Sequence, residues 1–571
     1  MGNIFDKSEQ DQNGNQYINI IKPEMIMQNQ FHLDLGQRNL NAQRMIELRN
    51  ELKKCSNLKA LSLNLFYNDI GNSGVEYLGE SFINLEILEN LNIDLFNNKI
   101  SSKGAVSLAQ NLFNCRQLEK VIINLRINKI EDAGLISLGE DLSKCANLKF
   151  LDLNLECNNI QSKGFFGFFQ KMKSCKYLYQ LKLSLKSNYV GEYMLTDQQS
   201  QQYLIPSLKY LFINLRSNKI FQKSQFVLGQ GFNKCKKLTN LTLKLSRNDI
   251  GDVGIGILGY EIANCENLTD LNLKLKWNNI EGSGVTNITQ QIKKIQNLKS
   301  LKLNLNVNKI GNDQISEICT QLSKIQTIQT LDVKFDQNQI TSQGCAYFCS
   351  GQIIHEQLIN LNISLQENII GNEGSLLLAN QIANLQKLKN LQINLSNCKL
   401  GENQCLILSP VMKSSLSITE IRINLNQNKI QSEDAERLAI GLEKLVNLQK
   451  LYIHLHSNSI QEKGAAHLGK SLQNLKFLTN LTLHLYNNNI QNQGVYSLAV
   501  GISKCLNLKV LELDLTQNNT SEDSIQILSN NLRKNIHLIK ISINLMLNAI
   551  ENRKIITQLK KITRLVSIKS K

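Results

Sequence analysis

Proline is nearly missing from this 571-residue chain, with three copies, and tryptophan occurs once. So few prolines rule out a Pro-rich linker, and no composition break divides the chain into conventional domains. No stretch nears the roughly 18 apolar residues that a membrane-spanning helix needs, and the N-terminus lacks the apolar run of a secretory signal. These absences lead us to expect a chain kept in the cytosol or nucleus. Met1-Gly2 suggests myristoylation, but Asp6 stands where that motif calls for a small hydroxyl residue.

The motifs of common enzymes are missing too. There is no G-x-x-x-x-G-K-[ST] loop, no H-R-D with D-F-G, no G-x-S-x-G elbow and no H-E-x-x-H helix. One formal G-x-G-x-x-G occurs at Gly254, Gly256 and Gly259. Gly254 and Gly259 fall in columns of a repeat described below, which explains them without a nucleotide. Thirteen cysteines are present but no C-x-x-C pair, so neither zinc ribbons nor redox motifs are indicated. We expect no cofactor, no metal and no catalytic residue.

What the chain has is repetition. LSLNLFYNDI at 61–70 returns as LNIDLFNNKI at 91–100, LDLNLECNNI at 151–160 and LTLHLYNNNI at 481–490. Asn recurs every thirty residues from Asn68 to Asn548, broken only by Cys398. Leu61, Leu63 and Leu65 alternate with other residues, which is the period of a strand with one face buried. Gly74 and Leu78 follow at helical spacing. A strand, a turn and a helix in thirty residues cannot enclose a core alone, so each unit must stack on its neighbours.

Seven cysteines, Cys55, Cys115, Cys145, Cys175, Cys235, Cys265 and Cys505, share one column with Leu85, Ile295, Leu445 and Leu475. We place that column late in the helix and expect reduced, buried thiols. A Gly at 74, 104, 134, 164, 254, 284, 344, 374, 464 and 494 is read as opening the helix. Coils near 191–205 and 401–415 have the weakest helical pattern. Residues 1–30 are polar and read as a tail or cap, 31–550 as the array, and 551–571 as a basic capping helix.

The pattern Leu58, Leu61, Leu63, Leu65, Asn68 and Ile70, with Gly74 and Leu78, resembles a leucine-rich repeat of the ribonuclease-inhibitor type. The resemblance implies an α/β solenoid of about 17–18 coils, a horseshoe or superhelix with a concave parallel β-sheet and convex helices. It also implies that each Asn closes a turn through amide hydrogen bonds, with Cys tolerated in that slot. The strand is about two residues longer than in that family's usual motif, and the thirty-residue period is unusually uniform.

If odd strand positions fill the core, even positions face the cavity. From 182 to 306 they include Lys182, Lys186, Arg216, Lys244, Lys274, Lys276 and Lys302, with no acid. Five strands give a basic zone about 20 Å wide. Trp277 and Arg247 stand at its rim. Further on, Tyr452, His454, His456, His484 and Tyr486 form a second patch, with Asp514 in the column of His484. The patch reads as an aromatic and imidazole contact surface rather than a metal site.

The expected function is a non-enzymatic scaffold that binds an acidic protein on its concave face. A polyanion binder of RNA, DNA or acidic tails through 182–302 is the alternative, and a GTPase-activating role a second one. The Asn-, Ile-, Lys- and Gln-heavy usage resembles that of protists with AT-rich genomes, which suggests a cytoskeletal or ciliary setting.

Overall fold

The computed structural model describes residues 28–191, 205–221, 232–350, 357–401 and 417–546, together with two short paired strands, Glu9–Gln10 and Gln16–Tyr17. The readings of Gly2, most of the 1–30 tail, the coils near 191–205 and 401–415 and the 551–571 helix lie outside the described residues. The chain divides into two compact units, one of residues 1–250 and 260–268, the other of 251–259 and 269–571.

The first unit contains eight five-residue strands, from Gln30–Asp34 to Asn240–Lys244. Each pairs in parallel with the next at an offset of thirty, as Leu61 does with Leu91 and Lys182 with Phe212. The second unit repeats this with ten strands, from Asp270–Lys274 to Lys540–Asn544. The eighteen strands alternate with fourteen α-helices among the described residues. This is an α/β solenoid.

Alternation decides which face is buried. Leu61, Leu63 and Leu65 are 1% exposed or less, while Ser62 and Asn64 are half-buried. Burying each Leu is worth about 1.5–3 kcal/mol, and neighbouring coils supply most of what covers it. Pairing continues beyond the strand, because the Leu65 N–H donates to Asp94 O at 2.8 Å and the Tyr67 N–H to Phe96 O at 2.8 Å.

Tyr67 is also where the chain turns. It has φ +51°, and a left-handed residue stands in the same column at Ile127, Arg247, Trp277 and Val307. A β-branched residue with positive φ is costly, so the turn must be held from outside. The following Asn holds it. The Asn128 Oδ1 accepts from the N–H groups of Asn98 at 3.1 Å and Ile100 at 2.9 Å. Its Nδ2 donates to Leu95 O and Leu125 O, both at 3.0 Å. One buried amide thus satisfies backbone groups on two coils. Where Cys398 replaces it, the thiol donates to Leu365 O at 3.1 Å.

A longer period lies over the thirty. Second bridges after the turn occur at Asn41, Ser101, Gln161, Phe221, Thr341 and Gly401, all in step with a sixty-residue interval. In the alternate coils an Asn or Asp reaches forward to cap the next helix. Asn72 Oδ1 accepts from Ser101 N at 2.8 Å and Gly104 N at 3.2 Å, and Asp132 Oδ1 accepts from Gln161 N at 2.7 Å. A carboxylate or amide oxygen there satisfies donors that a helix start leaves open.

Two columns sit differently from expectation. The cysteines follow the helix rather than ending it: the helix Ser102–Leu112 closes before Cys115, whose thiol donates to Phe82 O of the preceding coil at 3.6 Å. The seven cysteines of this column are free thiols, and burial pushes Cys115 up to about 12, so it is inert as a nucleophile. Gly74 does not open its helix but lies within the first turn of Gly71–Ser81. A Cβ on it would fall 2.5 Å from Ile70 Cγ2 and 3.0 Å from Met45 Cγ, so the column is glycine for packing between coils. Gly254, Gly256 and Gly259 all lie inside one helix, Gly251–Ala263, so they form no phosphate-cradling turn.

Candidate functional site

The even strand positions form the face from which a binding site can be built, and each unit presents its own part. In the first unit the strand register sets Asp152 beside Lys182. Lys182 Nζ lies 3.5 Å from Asp152 Oδ2 and 5.5 Å from the centre of the Phe150 ring. Glu156 is held from both sides: Arg126 Nε and Lys186 Nζ each lie 3.6 Å from its Oε2, and Ser184 Oγ donates to its Oε1 at 2.9 Å. Lys244 Nζ stands 4.7 Å from the centre of the Phe212 ring.

Acid and base are therefore interleaved where the sequence suggested a boundary. Lys182 and Lys186 are engaged by the carboxylates of the preceding strand, so the first unit's share of the basic zone is partly neutralised. Burial raises the Asp152 carboxyl above its ordinary range, against the pull of Lys182. Arg216 is exposed and makes no ion pair among the described residues, and Arg247 is exposed at the left-handed turn position.

The second unit treats its charges differently. Lys274 and Lys302 are exposed and Lys276 is half-buried. Lys276 and Lys302 make no ion pair among the described residues. Lys302 lies in register with Asp332, yet Asp332 Oδ1 accepts instead from Asn362 Nδ2 at 2.8 Å. Asp336 is likewise occupied by amides and a hydroxyl, accepting from Asn306 Nδ2 at 2.6 Å, from the Gln366 N–H at 3.0 Å and from Ser364 Oγ. Burial is the main cause that lifts its carboxyl above the usual range. Trp277, with φ +62° and 47% exposed, projects at the turn beside Lys276.

The Tyr and His residues are brought together on adjacent strands. His454 pairs in register with His484, and their Nδ1 atoms lie 2.8 Å apart, so one carries the proton and the other accepts. His484 Nε2 lies 3.3 Å from Glu512 Oε1. It therefore reaches Glu512, not the Asp514 of its own column. Burial, with the neighbouring imidazole adding to it, lowers His454 to about 4, leaving it neutral at neutral pH. His456 faces the Tyr486 ring at 6.2 Å between centroids.

Tyr452 has a partner that the sequence reading left out. Arg422 Cζ stands 3.8 Å from the centre of the Tyr452 ring, and its Nε donates to Glu420 Oε1 at 2.9 Å. Lys450 shares that carboxylate at 3.2 Å. Arg422 sits at an even position thirty residues before Tyr452, so its column was the available signal. Among the described residues no group of three or more His, Cys, Asp or Glu is arranged to hold a metal ion. No helix there is long and apolar enough to cross a membrane.

A leucine-rich-repeat family model matches residues 54–79, 237–256 and 477–499. No curated protein matches the sequence significantly. Among solved structures, a leucine-rich-repeat protein of Leptospira interrogans aligns at 18% identity over 94% of this chain and 95% of that one, with a TM-score of 0.40. An internalin of Listeria monocytogenes aligns at 17% over 77% and 93%, with 0.35. A TLR13–ssRNA13 complex aligns at 16% over 91% and 79%, with 0.45. At these scores the structural likenesses carry no argument about what the chain binds. The family match is to the repeat and does not specify the ribonuclease-inhibitor type. On its matched segments and on the strand, turn and helix that recur through both units, the chain is a leucine-rich-repeat protein.

Proposed function

We propose that the protein is a non-enzymatic interaction scaffold whose even strand positions hold an acidic protein partner. The observation that carries this is the pair Lys276, just past the strand Asp270–Lys274, and Lys302 on the next strand of the same unit, beside the exposed Trp277. The nearby carboxylates of Asp332 and Asp336 accept from amide and hydroxyl donors, and neither lysine forms an ion pair among the described residues. A hydrogen-bonded sheet fixes such side chains in place, so little order has to be imposed when a partner arrives. Trp277 would supply the apolar anchor of such a contact.

A polyanion reading draws on the same lysines, but base stacking needs successive aromatic platforms, and among the described residues of the second unit Trp277 alone stands beside them. A GTPase-activating arginine gains no support from Arg126, which is committed to Glu156 and to the Phe96 ring at 5.3 Å.

The test is capture from a lysate of the source cells by the full chain and by the Lys276→Glu, Lys302→Glu variant, followed by mass spectrometry and affinity measurement. Proteins bound by the natural chain should bind the variant roughly tenfold or more weakly at low salt. Recovery of nucleic acid alone, or equal capture by both chains, contradicts the reading.

A further inference from the structure

The loops that lead from each helix into the next strand form an edge separate from the even-position face. In the last four described coils that edge is apolar. Val446, Phe477, Leu506, Ile536 and Ile539 are 45% to 74% exposed. The fold does not ask for them. The equivalent loops earlier in the same unit carry Gln296, Gln326 and Gln386 in the column of Val446, and Thr327 and Lys387 in that of Phe477.

The loops are also locked to one another. The N–H groups of Thr479, Lys509 and Ile539 each donate at 2.8 Å to the carbonyl thirty residues before, linking Gln449, Thr479, Lys509 and Ile539 into one line. With coils about 4.8 Å apart, the apolar side chains stand along a row of roughly 15 Å.

The charge around the row has one sign. Lys444, Lys476, Lys504, Lys509, Lys534 and Lys540 are exposed in the same loops, and Glu443 is the only acid within 443–450, 473–480, 503–510 and 533–540. Lysine is a hydrated point charge on a flexible stem, suited to a diffuse anionic surface more than to a shaped carboxylate pair. The apolar side chains project from successive loops as a row, an arrangement that enters a soft interface without needing a complementary pocket. We propose that this edge docks on an anionic lipid bilayer surface, with Phe477, Leu506 and Ile536 entering the headgroup boundary and the lysines among the phosphates. The two signals, apolar insertion and basic attraction, are what reversible peripheral binding requires together.

The test is co-sedimentation of the full chain with phosphatidylcholine vesicles with and without phosphatidylserine. Binding should appear only with phosphatidylserine and weaken with salt. Lys504→Glu with Lys534→Glu should weaken it ~30-fold or more. Leu506→Ser with Ile536→Ser should weaken it roughly tenfold. Lys276→Glu with Lys302→Glu should leave it unchanged, which separates this edge from the protein-binding face. Thermal melts of each variant should match the natural chain, since all these side chains are exposed or half-buried. The proposal is overturned if the natural chain stays in the supernatant, if the serine variant binds as before, or if an acidic amphipathic peptide binds this edge while vesicles do not.

Discussion

Replacing Asn128 by Ala is expected to destabilise its part of the array by about 3–5 kcal/mol. The side chain is 7% exposed and bonds four buried backbone groups: the N–H of Asn98 and of Ile100, and the carbonyls of Leu95 and Leu125. Alanine would leave all four without that partner, at about 1–3 kcal/mol each before water or small shifts recover some of it. The left-handed Ile127 would lose the clamp that keeps its turn.

Because long arrays do not always unfold in one step, the measurement is hydrogen exchange resolved by segment, together with a urea melt. Amides of 95–100 and 125–130 should lose protection first. Asn128→Cys should cost less than Asn128→Ala, since Cys398 shows a thiol donating to the equivalent carbonyl. Equal losses for the two variants would mean that the amide only fills space.

Gly501→Ala should be destabilising by about 2–4 kcal/mol, although Ala is the better helix former by nearly 1 kcal/mol. The helices Gln461–Leu472 and Gln491–Ser503 meet through paired glycines. A Cβ on Gly501 would lie 1.9 Å from Gly469 O, and one on Gly469 would lie 2.4 Å from Ser497 O. Both obstacles are backbone, which cannot swing aside as a side chain does. Gly256→Ala is the control: its Cβ would come no nearer than 3.4 Å to Asn287 Nδ2, and a gain of about 0.5–1 kcal/mol is expected. Calorimetric or urea melts of both variants check the pair. Two losses of equal size would point to helix flexibility rather than to close backbone approach.

Much of the frame could be read from residues alone, because the period of two in Leu61, Leu63 and Leu65 has one structural solution when thirty-residue units must cover one another. The recurrence of the turn amide was legible too, and its role followed from the resemblance to leucine-rich repeats. Columns whose role depends on a neighbour were harder. Gly74 looks like a helix opener by its place in the chain, and only the approach of Ile70 and Met45 shows it to be a packing contact. The cysteines were set too early because the helix ends sooner than its apolar pattern suggests.

The sixty-residue alternation was present in the letters, as Asn or Asp at 72, 132, 252, 312, 372 and 492, but thirty-residue similarity hid it. At the candidate face, the offset of thirty already set Lys182 beside Asp152. What letters do not give is which donor a carboxylate takes, and that choice separates the engaged Lys182 from the unpaired Lys302. The apolar loop edge was not legible because Val446, Phe477, Leu506 and Ile536 stand beside buried apolar residues of the same loops, and letters alone do not separate the exposed from the buried.

In the proposed mode of binding, odd strand positions hold the coils to one another and even positions meet the partner. A photoreactive residue placed in turn at Lys302, Tyr452 and the exposed helix position Tyr496 tests this directly. Crosslinks to a captured protein should form from positions 302 and 452 and not from 496. Crosslinks from position 496 alone would place the partner on the helices and contradict the account.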